Sequence, residues 1–131
     1  METRDTILRL IQQTALILRA FFNQLPEDDS EQVTQDFTAR LKEQTSVDLE
    51  VLLSLETPQQ IQDFFALHPA FDTSNQEVLA DLLVDLAEKM TNKNFEVSLQ
   101  YKKSALNLYR HINKITQTHD SARQNKINKL S

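Results

Sequence analysis

The chain has 131 residues, contains neither glycine nor cysteine, and carries a formal net charge of −5 at pH 7. The lack of glycine excludes glycine-rich phosphate loops and dinucleotide-binding turns, and it disfavours the tight turns of β-hairpins. The lack of cysteine excludes disulfides, thiolate nucleophiles and cysteine metal sites. We therefore expect a single all-α domain that spans residues 1–131.

The first predicted element is a long helix at residues 1–25, whose apolar side chains cover more than half of its circumference. Such a broad apolar surface favours a central helix that is covered on both sides. A homodimer interface along this helix is the second interpretation, because large apolar patches commonly mark interfaces. Binding to a membrane surface is the weakest one, since Arg4, Arg9 and Arg19 are too scattered to form a basic face.

The N-terminus lacks the basic segment, the clean apolar core and the cleavage site of a secretory signal peptide. The sequence also lacks an apolar run of about 18 residues, the length that a membrane-spanning helix needs. We expect a cytoplasmic protein without a membrane span.

Residues 30–67 are predicted to form short helices. Ser30 can cap the first of them, a surface helix with a narrow apolar stripe. The leucine-rich residues 49–55 belong to the second, which is apolar enough for the core. The third begins with a cap at Thr57, a proline at the first helical position, Pro58, and a glutamine three residues after the cap.

Residues 74–116 are the most regular part of the sequence, and they predict a hairpin of two helices joined by a turn at residues 91–94. Ser74 and Glu77 form a capping-box signature at the start of the first helix. The asparagines of the turn tolerate left-handed geometry. The second helix carries two apolar rows, which predict packing on two sides. These rows are Tyr101, Ala105, Leu108, Ile112 and Ile115, and Phe95, Leu99, Leu106 and Tyr109.

Small and large residues alternate along this hairpin at Leu86-Ala87, Met90, Phe95, Ser98-Leu99 and Ala105-Leu106. In this pattern the hairpin resembles one tetratricopeptide repeat, in which small residues stand where the paired helices approach closely. A second copy at a spacing of about 34 residues does not occur upstream. The resemblance therefore implies one tetratricopeptide-like hairpin within a small globule instead of a stacked array.

Residues 119–131 predict a last short helix or tail, with a cap offered by His119-Asp120-Ser121 and with Ile127 and Leu130 available for docking. Together with the elements above, this helix completes a predicted small bundle of about six or seven helices.

A second resemblance spans nearly the whole chain. Residues 4–11, the leucine-rich stretch 49–55, the hairpin and residues 121–127 together look like an uncharacterised family of short bacterial all-helical proteins. This resemblance implies a fold, and it supplies neither an activity nor functional residues.

The net charge conceals an acidic middle and a basic end. Residues 26–88 contain fifteen Asp or Glu and two Lys or Arg, a net charge of −13. Residues 89–131 contain nine Lys or Arg and two Asp or Glu, a net charge of +7. The simplest explanation of this uneven distribution of charge is that the two regions attract each other, within a monomer or across a dimer. Four carboxylates of the acidic middle share one helical face, which we interpret as solvated. They are Glu77, Asp81, Asp85 and Glu88.

The sequence contains no recognisable catalytic or metal-binding constellation. No loop is marked by a nucleophile beside a base and oxyanion donors. The histidines are His68, His111 and His119, and no His-Glu zinc motif surrounds them. We therefore expect no catalytic residue, no metal and no cofactor.

The predicted function is a non-enzymatic helical interaction module or adaptor, which binds a protein or peptide partner along the second helix of the hairpin. The predicted partner-binding residues are Lys102, Lys103, Arg110 and Lys114. The alternative is a nucleic-acid accessory protein, because these residues and the basic C-terminal segment could neutralise phosphates. The negative charge of the whole chain favours the protein partner.

Overall fold

The computed structural model describes residues 2–24, 31–117 and 120–131. Over these ranges the chain forms seven α-helices and no β-strand, so the predicted all-helical bundle is confirmed. The helices are α1 (Glu2–Gln24), α2 (Glu31–Thr45), α3 (Leu49–Ser54), α4 (Pro58–Ala66), α5 (Thr73–Met90), α6 (Phe95–Thr116) and α7 (Ser121–Leu130). In the described part of the chain, none of them is long and apolar enough to cross a membrane. The predicted cap at Ser30 and the histidine at position 119 lie outside the described residues.

The hairpin of α5 and α6 forms the centre of the bundle. The leucine stripe of α5 is completely buried, as its helical periodicity predicts. Small residues let the two helices approach closely: Ala87 and Ser98 are fully buried, and the Ser98 hydroxyl donates a hydrogen bond of 2.7 Å to the carbonyl oxygen of Ala87. A larger side chain at either position would push the helices apart, so these two residues set the distance between them.

The first helix is covered on one side only. Thr14, Leu18 and Phe21 are buried, whereas Leu16 is 66% exposed. The interpretation of α1 as the central helix, covered on both sides, is therefore wrong. That position belongs to α5, which contacts both α1 and α6. The prediction assumed that the whole apolar surface of α1 is covered, but part of that surface is exposed.

The short helices complete the core around the hairpin. α3 and α4 pack against α6, and α2 contacts α3. Phe37 of α2 meets Phe21 of α1 edge-on, with ring centroids 4.7 Å apart. Phe65 of α4 is buried, and its ring stacks on His111 of α6 at a centroid distance of 6.3 Å. These contacts place the start of α4 beside the second half of α6.

Helix starts follow local sequence signals, with one correction. α4 begins with the predicted capping box, in which the Thr57 hydroxyl accepts a hydrogen bond from the Gln60 amide and the Gln60 side chain accepts one from the Thr57 amide. The N-cap of α5 is Asp72 and not Ser74, so the predicted capping box at Ser74 is wrong. The Asp72 carboxylate accepts a hydrogen bond of 2.9 Å from the Asn75 amide. Aspartate caps as well as serine does, and its charge is favourable at a helix N-terminus.

The turn between α5 and α6 uses asparagine differently from the prediction. Asn94 is the N-cap of α6 in an extended conformation, and its side chain accepts a hydrogen bond of 3.2 Å from the Val97 amide. Thr91, which ends α5, has right-handed helical geometry. Among the described residues, left-handed backbone occurs at Ser46 and Gln117 instead. The chain therefore reverses between the two long helices without a left-handed asparagine.

Candidate functional site

The last helix, α7, lies against both helices of the hairpin. Asp120 caps it as predicted, since its carboxylate accepts a hydrogen bond of 3.1 Å from the Arg123 amide. Ile127 is buried and Leu130 packs half-buried against the core, so both predicted docking residues reach the bundle. One side of α7 is thus held by apolar contact, while its basic side chains meet the acids of α5.

Arg123 is the main polar anchor of α7. Its side chain is 9% exposed, and it lies against the carboxylate of Glu77, which is 23% exposed. The guanidinium donates two hydrogen bonds to Glu77 Oε1, from Nε at 3.1 Å and from Nη2 at 2.9 Å. Nη1 donates a third, of 2.8 Å, to Oδ1 of Asn113 on α6. A single side chain therefore ties α7 to both α5 and α6.

One turn further along α7, Lys126 pairs with two carboxylates of α5. Its ammonium nitrogen lies 3.1 Å from Glu77 Oε2 and 3.1 Å from Asp81 Oδ1. The same nitrogen lies 5.6 Å from the centre of the Tyr109 ring, and the Tyr109 hydroxyl donates a hydrogen bond to Asp81. Burial and this bond raise the pKa of Tyr109, so its hydroxyl stays a donor. Burial lowers the pKa of Lys126, but its hydrogen bonds to Asp81 and Glu77 outweigh burial and raise the pKa overall.

Glu77 and Asp81 are therefore not part of a solvated face, and the prediction is wrong for these two acids. They stand one helical turn apart on α5, and Arg123 and Lys126 stand nearly one turn apart on α7, so the two pairs of charges meet across the helix contact. In the structure, the attraction between the acidic middle and the basic end acts within one chain. The basic end neutralises only the first part of the acidic row.

Beside the second half of α7, an open cavity of about 400 Å³ is lined by residues of α5, α6 and α7. Asp85 and Glu88 of α5 line this cavity and continue the row of acids. Neither of them has an ion-pair partner among the described residues. Burial, and then the charges of Glu88 and Asp81, raise the pKa of Asp85. These two carboxylates therefore form no ion pair in the described residues, although three lysines of α6 and α7 line the same cavity.

Towards its N-terminus, α6 carries exposed apolar side chains on the same helical face that lines the cavity. Lys102 and Tyr109 line the cavity, and Leu99 and Phe95 lie on the same face of α6, one and two turns before Lys102. Phe95 is 59% exposed and Leu99 is 48% exposed. The second predicted apolar row of α6 is therefore only partly covered. We call this region, defined by Asp85, Glu88, Phe95, Leu99 and Lys102, the open groove.

The four predicted partner-binding residues lie on two faces of α6. Lys102 is half-buried and belongs to the open groove. Lys103, Arg110 and Lys114 are exposed, and the last two line another cavity beside the start of α4. The structure does not bring all four side chains together, and their role in partner binding stays a prediction.

Sequence reasoning misses Asp85, Glu88, Phe95 and Leu99 as site residues. The available signal is a difference in length: α6 has 22 residues and α7 has 10, so the last helix is too short to cover the whole hairpin. A row of acids and an apolar row that both extend beyond the docked helix would then mark the uncovered part of the groove.

The two histidines that the structure describes, His68 and His111, each pack against a phenylalanine ring. His68 lies against Phe64, with ring centroids 4.8 Å apart, and burial lowers its pKa. Burial, and then the charge of Lys114, lower the pKa of His111. In the residues that the structure describes, no group of three or more His, Asp or Glu side chains is placed to hold a metal ion.

Comparison of the chain with models of known protein families, with curated proteins and with solved structures found no match.

Proposed function

We propose that this protein is a non-enzymatic helical interaction module, whose open groove binds a helix of a partner protein. The proposal rests on one observation, that α7 covers only part of the groove between α5 and α6. An open cavity of about 400 Å³ lies beside the second half of α7. Helix-in-groove recognition combines apolar contacts with polar groups along the border, and the cavity offers Val84, Tyr109 and Leu130 beside charged side chains.

The contacts of α7 indicate the chemistry of the partner. α7 pairs two basic side chains with two acids of α5, and it buries Ile127. The open groove likewise combines acids with apolar side chains. The acids are Asp85 and Glu88, which follow Asp81 along α5, and the apolar side chains are Phe95 and Leu99 of α6. We therefore expect a partner helix with basic residues three or four positions apart beside an apolar stripe.

The ion pairs of α7 make the nucleic-acid alternative weaker. Arg123 and Lys126 form ion pairs with carboxylates of α5. These ion pairs would have to break before the two side chains could bind the phosphates of a nucleic acid. The basic C-terminal helix therefore contributes less positive surface than its sequence suggests.

A homodimer through α1 is a separate part of the proposal. Leu8, Leu10 and Leu16 of α1 are exposed, and a second copy would give such side chains a partner. Light scattering of the purified protein measures the solution mass. A monomer at all concentrations would refute the dimer and leave the groove proposal intact.

Affinity capture with matched variants tests the groove proposal. Tagged protein is purified from its own cells, and the retained proteins are identified by mass spectrometry. Leu99→Glu places a charge in the open groove, and Leu67→Glu changes a leucine that is 78% exposed at the end of α4. We expect one partner that is retained by the parent and the Leu67 variant and is lost from the Leu99 variant. An empty lane at low and moderate salt, or equal retention by both variants, would refute the proposal.

A synthetic helix from the captured partner then tests the predicted charge contacts. The combined change of Asp85→Asn and Glu88→Gln removes both carboxylates of the open groove. We expect the affinity to fall by about 3- to 10-fold, because exposed ion pairs contribute roughly 0.2–1 kcal/mol each. Fluorescence anisotropy at increasing salt measures this loss, and an unchanged affinity would exclude Asp85 and Glu88 from the interface.

A further inference from the structure

A second cavity, of about 270 Å³, lies between the start of α4 and the second half of α6. Arg110, His111 and Lys114 of α6 line it on one side, and Ile61 of α4 and Glu56 line it on the other. This cavity shares no lining residue with the open groove. It is large enough for a small ligand but lies below the range of about 300–1,000 Å³ that is typical of drug-sized ligands.

His111 is the unusual residue of this cavity. It is only 6% exposed, and its ring stacks on Phe65 with an interplanar angle of 20°. Its ring nitrogens are not among the buried side-chain atoms that lack a hydrogen-bond partner, so burial leaves the imidazole no unmet need for a bond inside the protein. Stacking on Phe65 orients the ring, and His111 lies at the wall of the cavity, where a ligand can reach it.

The charges around His111 favour an anion. Arg110 and Lys114 are exposed at the cavity, and neither makes an ion pair among the described residues. Glu56 is the one carboxylate that lines the cavity, and it is exposed. Two cations therefore face one carboxylate, which leaves the cavity with an excess of positive charge.

The protonation of His111 agrees with this arrangement. Burial, and then the charge of Lys114, lower its pKa, so the ring is neutral at pH 7 and carries one N–H donor. An anion bound next to the ring would oppose both effects and stabilise the charged imidazolium.

We propose that the cavity formed by Arg110, His111 and Lys114 binds a small oxyanion, and that a phosphate group is its ligand. A phosphate monoester carries about −1.5 to −2 charges at pH 7 and several acceptor oxygens. It therefore suits a site with two cations and one N–H donor better than a ligand with a single carboxylate would. Arg110 and Lys114 supply the charge, and His111 donates a hydrogen bond. The volume admits the phosphate group of a small metabolite and excludes a large cofactor.

The titration of His111 followed by NMR tests this proposal in the intact chain. The C–H resonances of the histidines are assigned by replacing each histidine in turn, and they are followed with pH in chloride, acetate, inorganic phosphate or phenyl phosphate at equal ionic strength. We expect phosphate and phenyl phosphate to raise the pKa of His111 by about half a unit or more. His68, which does not line the cavity, should not respond and serves as the internal reference.

Two double variants separate a site from general charge attraction. Arg110→Gln with Lys114→Gln removes both cations of the cavity, and Arg9→Gln with Lys103→Gln removes the same charge from exposed positions outside its lining. We expect the first variant to lose the response of His111 to phosphate and the second to keep it. Far-UV circular dichroism checks that both remain folded.

Three outcomes would overturn the proposal: no response of His111 up to tens of millimolar phosphate, an equal response of His68, or an equal loss in both double variants. If acetate raised the pKa of His111 as much as phosphate does, the ligand would be a carboxylate and the assignment of phosphate would be wrong. None of these results depends on partner binding in the open groove, so the two proposals can fail independently.

Discussion

Replacing Arg123 with methionine tests whether charge or apolar contact holds α7 on the hairpin. Methionine keeps an unbranched apolar stem but removes three hydrogen bonds, two to Glu77 and one to Asn113. Glu77 keeps Lys126 as its second partner. We expect the variant to be less stable and α7 to open before the rest of the bundle.

The structure limits the size of the effect. Hydrogen bonds to charged groups contribute about 1.5–3 kcal/mol each, and removing one partner of a fully buried ion pair costs about 3–5 kcal/mol. Glu77 is 23% exposed, so water compensates part of the loss. We therefore expect Arg123→Met to lower the free energy of unfolding by about 2 kcal/mol. Lys126→Met should lower it by about 1 kcal/mol or less, because the lysine side chain is 37% exposed.

Urea unfolding followed by circular dichroism measures both losses. Lys129→Met serves as the control, since Lys129 is exposed and makes no ion pair in the described residues. A double-mutant cycle of Arg123→Met with Glu77→Gln should give a coupling energy of about 1–2 kcal/mol. A change within about 0.5 kcal/mol of the parent, or additive losses in the cycle, would show that α7 is held by its apolar edge alone.

Three further predictions concern the hairpin and the buried histidine. Ala87→Arg should destabilise the fold by about 2 kcal/mol or more, because it forces a long charged chain into a closed helix contact; unchanged thermal unfolding would contradict this. Asp72→Ala should cost about 1 kcal/mol, while Ser74→Ala should cost little, since Asp72 caps α5; the reverse order in urea unfolding would restore Ser74 as the cap. The pKa of His111 is lower in the folded chain than its ordinary value of 6.5, so the unfolded state binds more protons and stability falls as the pH drops below about 6.5. His111→Gln should reduce that fall between pH 7 and 5 in phosphate-free buffer, and an identical pH profile would refute it.

Local signals account for the parts of the fold that the sequence predicts. The capping box of Thr57 and Gln60 depends on residues three positions apart, and the structure forms it as expected. The wrong cap at the start of α5 has a different cause. Asp72 and Ser74 both stand near the helix start, and either could cap it by composition alone. Tertiary contact decides between them, because the Asn75 side chain donates hydrogen bonds to the carbonyl oxygens of Ile11 and Ala70.

The candidate site is harder to predict because it depends on contacts between distant residues. The spacing of Glu77 and Asp81 shows that they share a face of α5, but it does not show that α7 covers this face. Arg123 lies 46 positions from Glu77 along the chain. The acidic middle and the basic end of the sequence indicate that ion pairs form between them. Which acids are paired depends on where α7 docks. The prediction of a solvated face therefore holds for the exposed Glu88 and fails for Glu77.

The row of acids on α5 links the stability of the bundle to its proposed function. Glu77 and Asp81 have counter-charges on α7, so replacing them should cost stability. Asp85 has no ion-pair partner in the described residues, and burial together with Glu88 and Asp81 raises its pKa, so its charge is unfavourable in the folded chain. Asp85→Asn should therefore leave the fold as stable as the parent or more stable. An acid that does not stabilise the fold is the kind of residue expected where a basic partner supplies the missing charge.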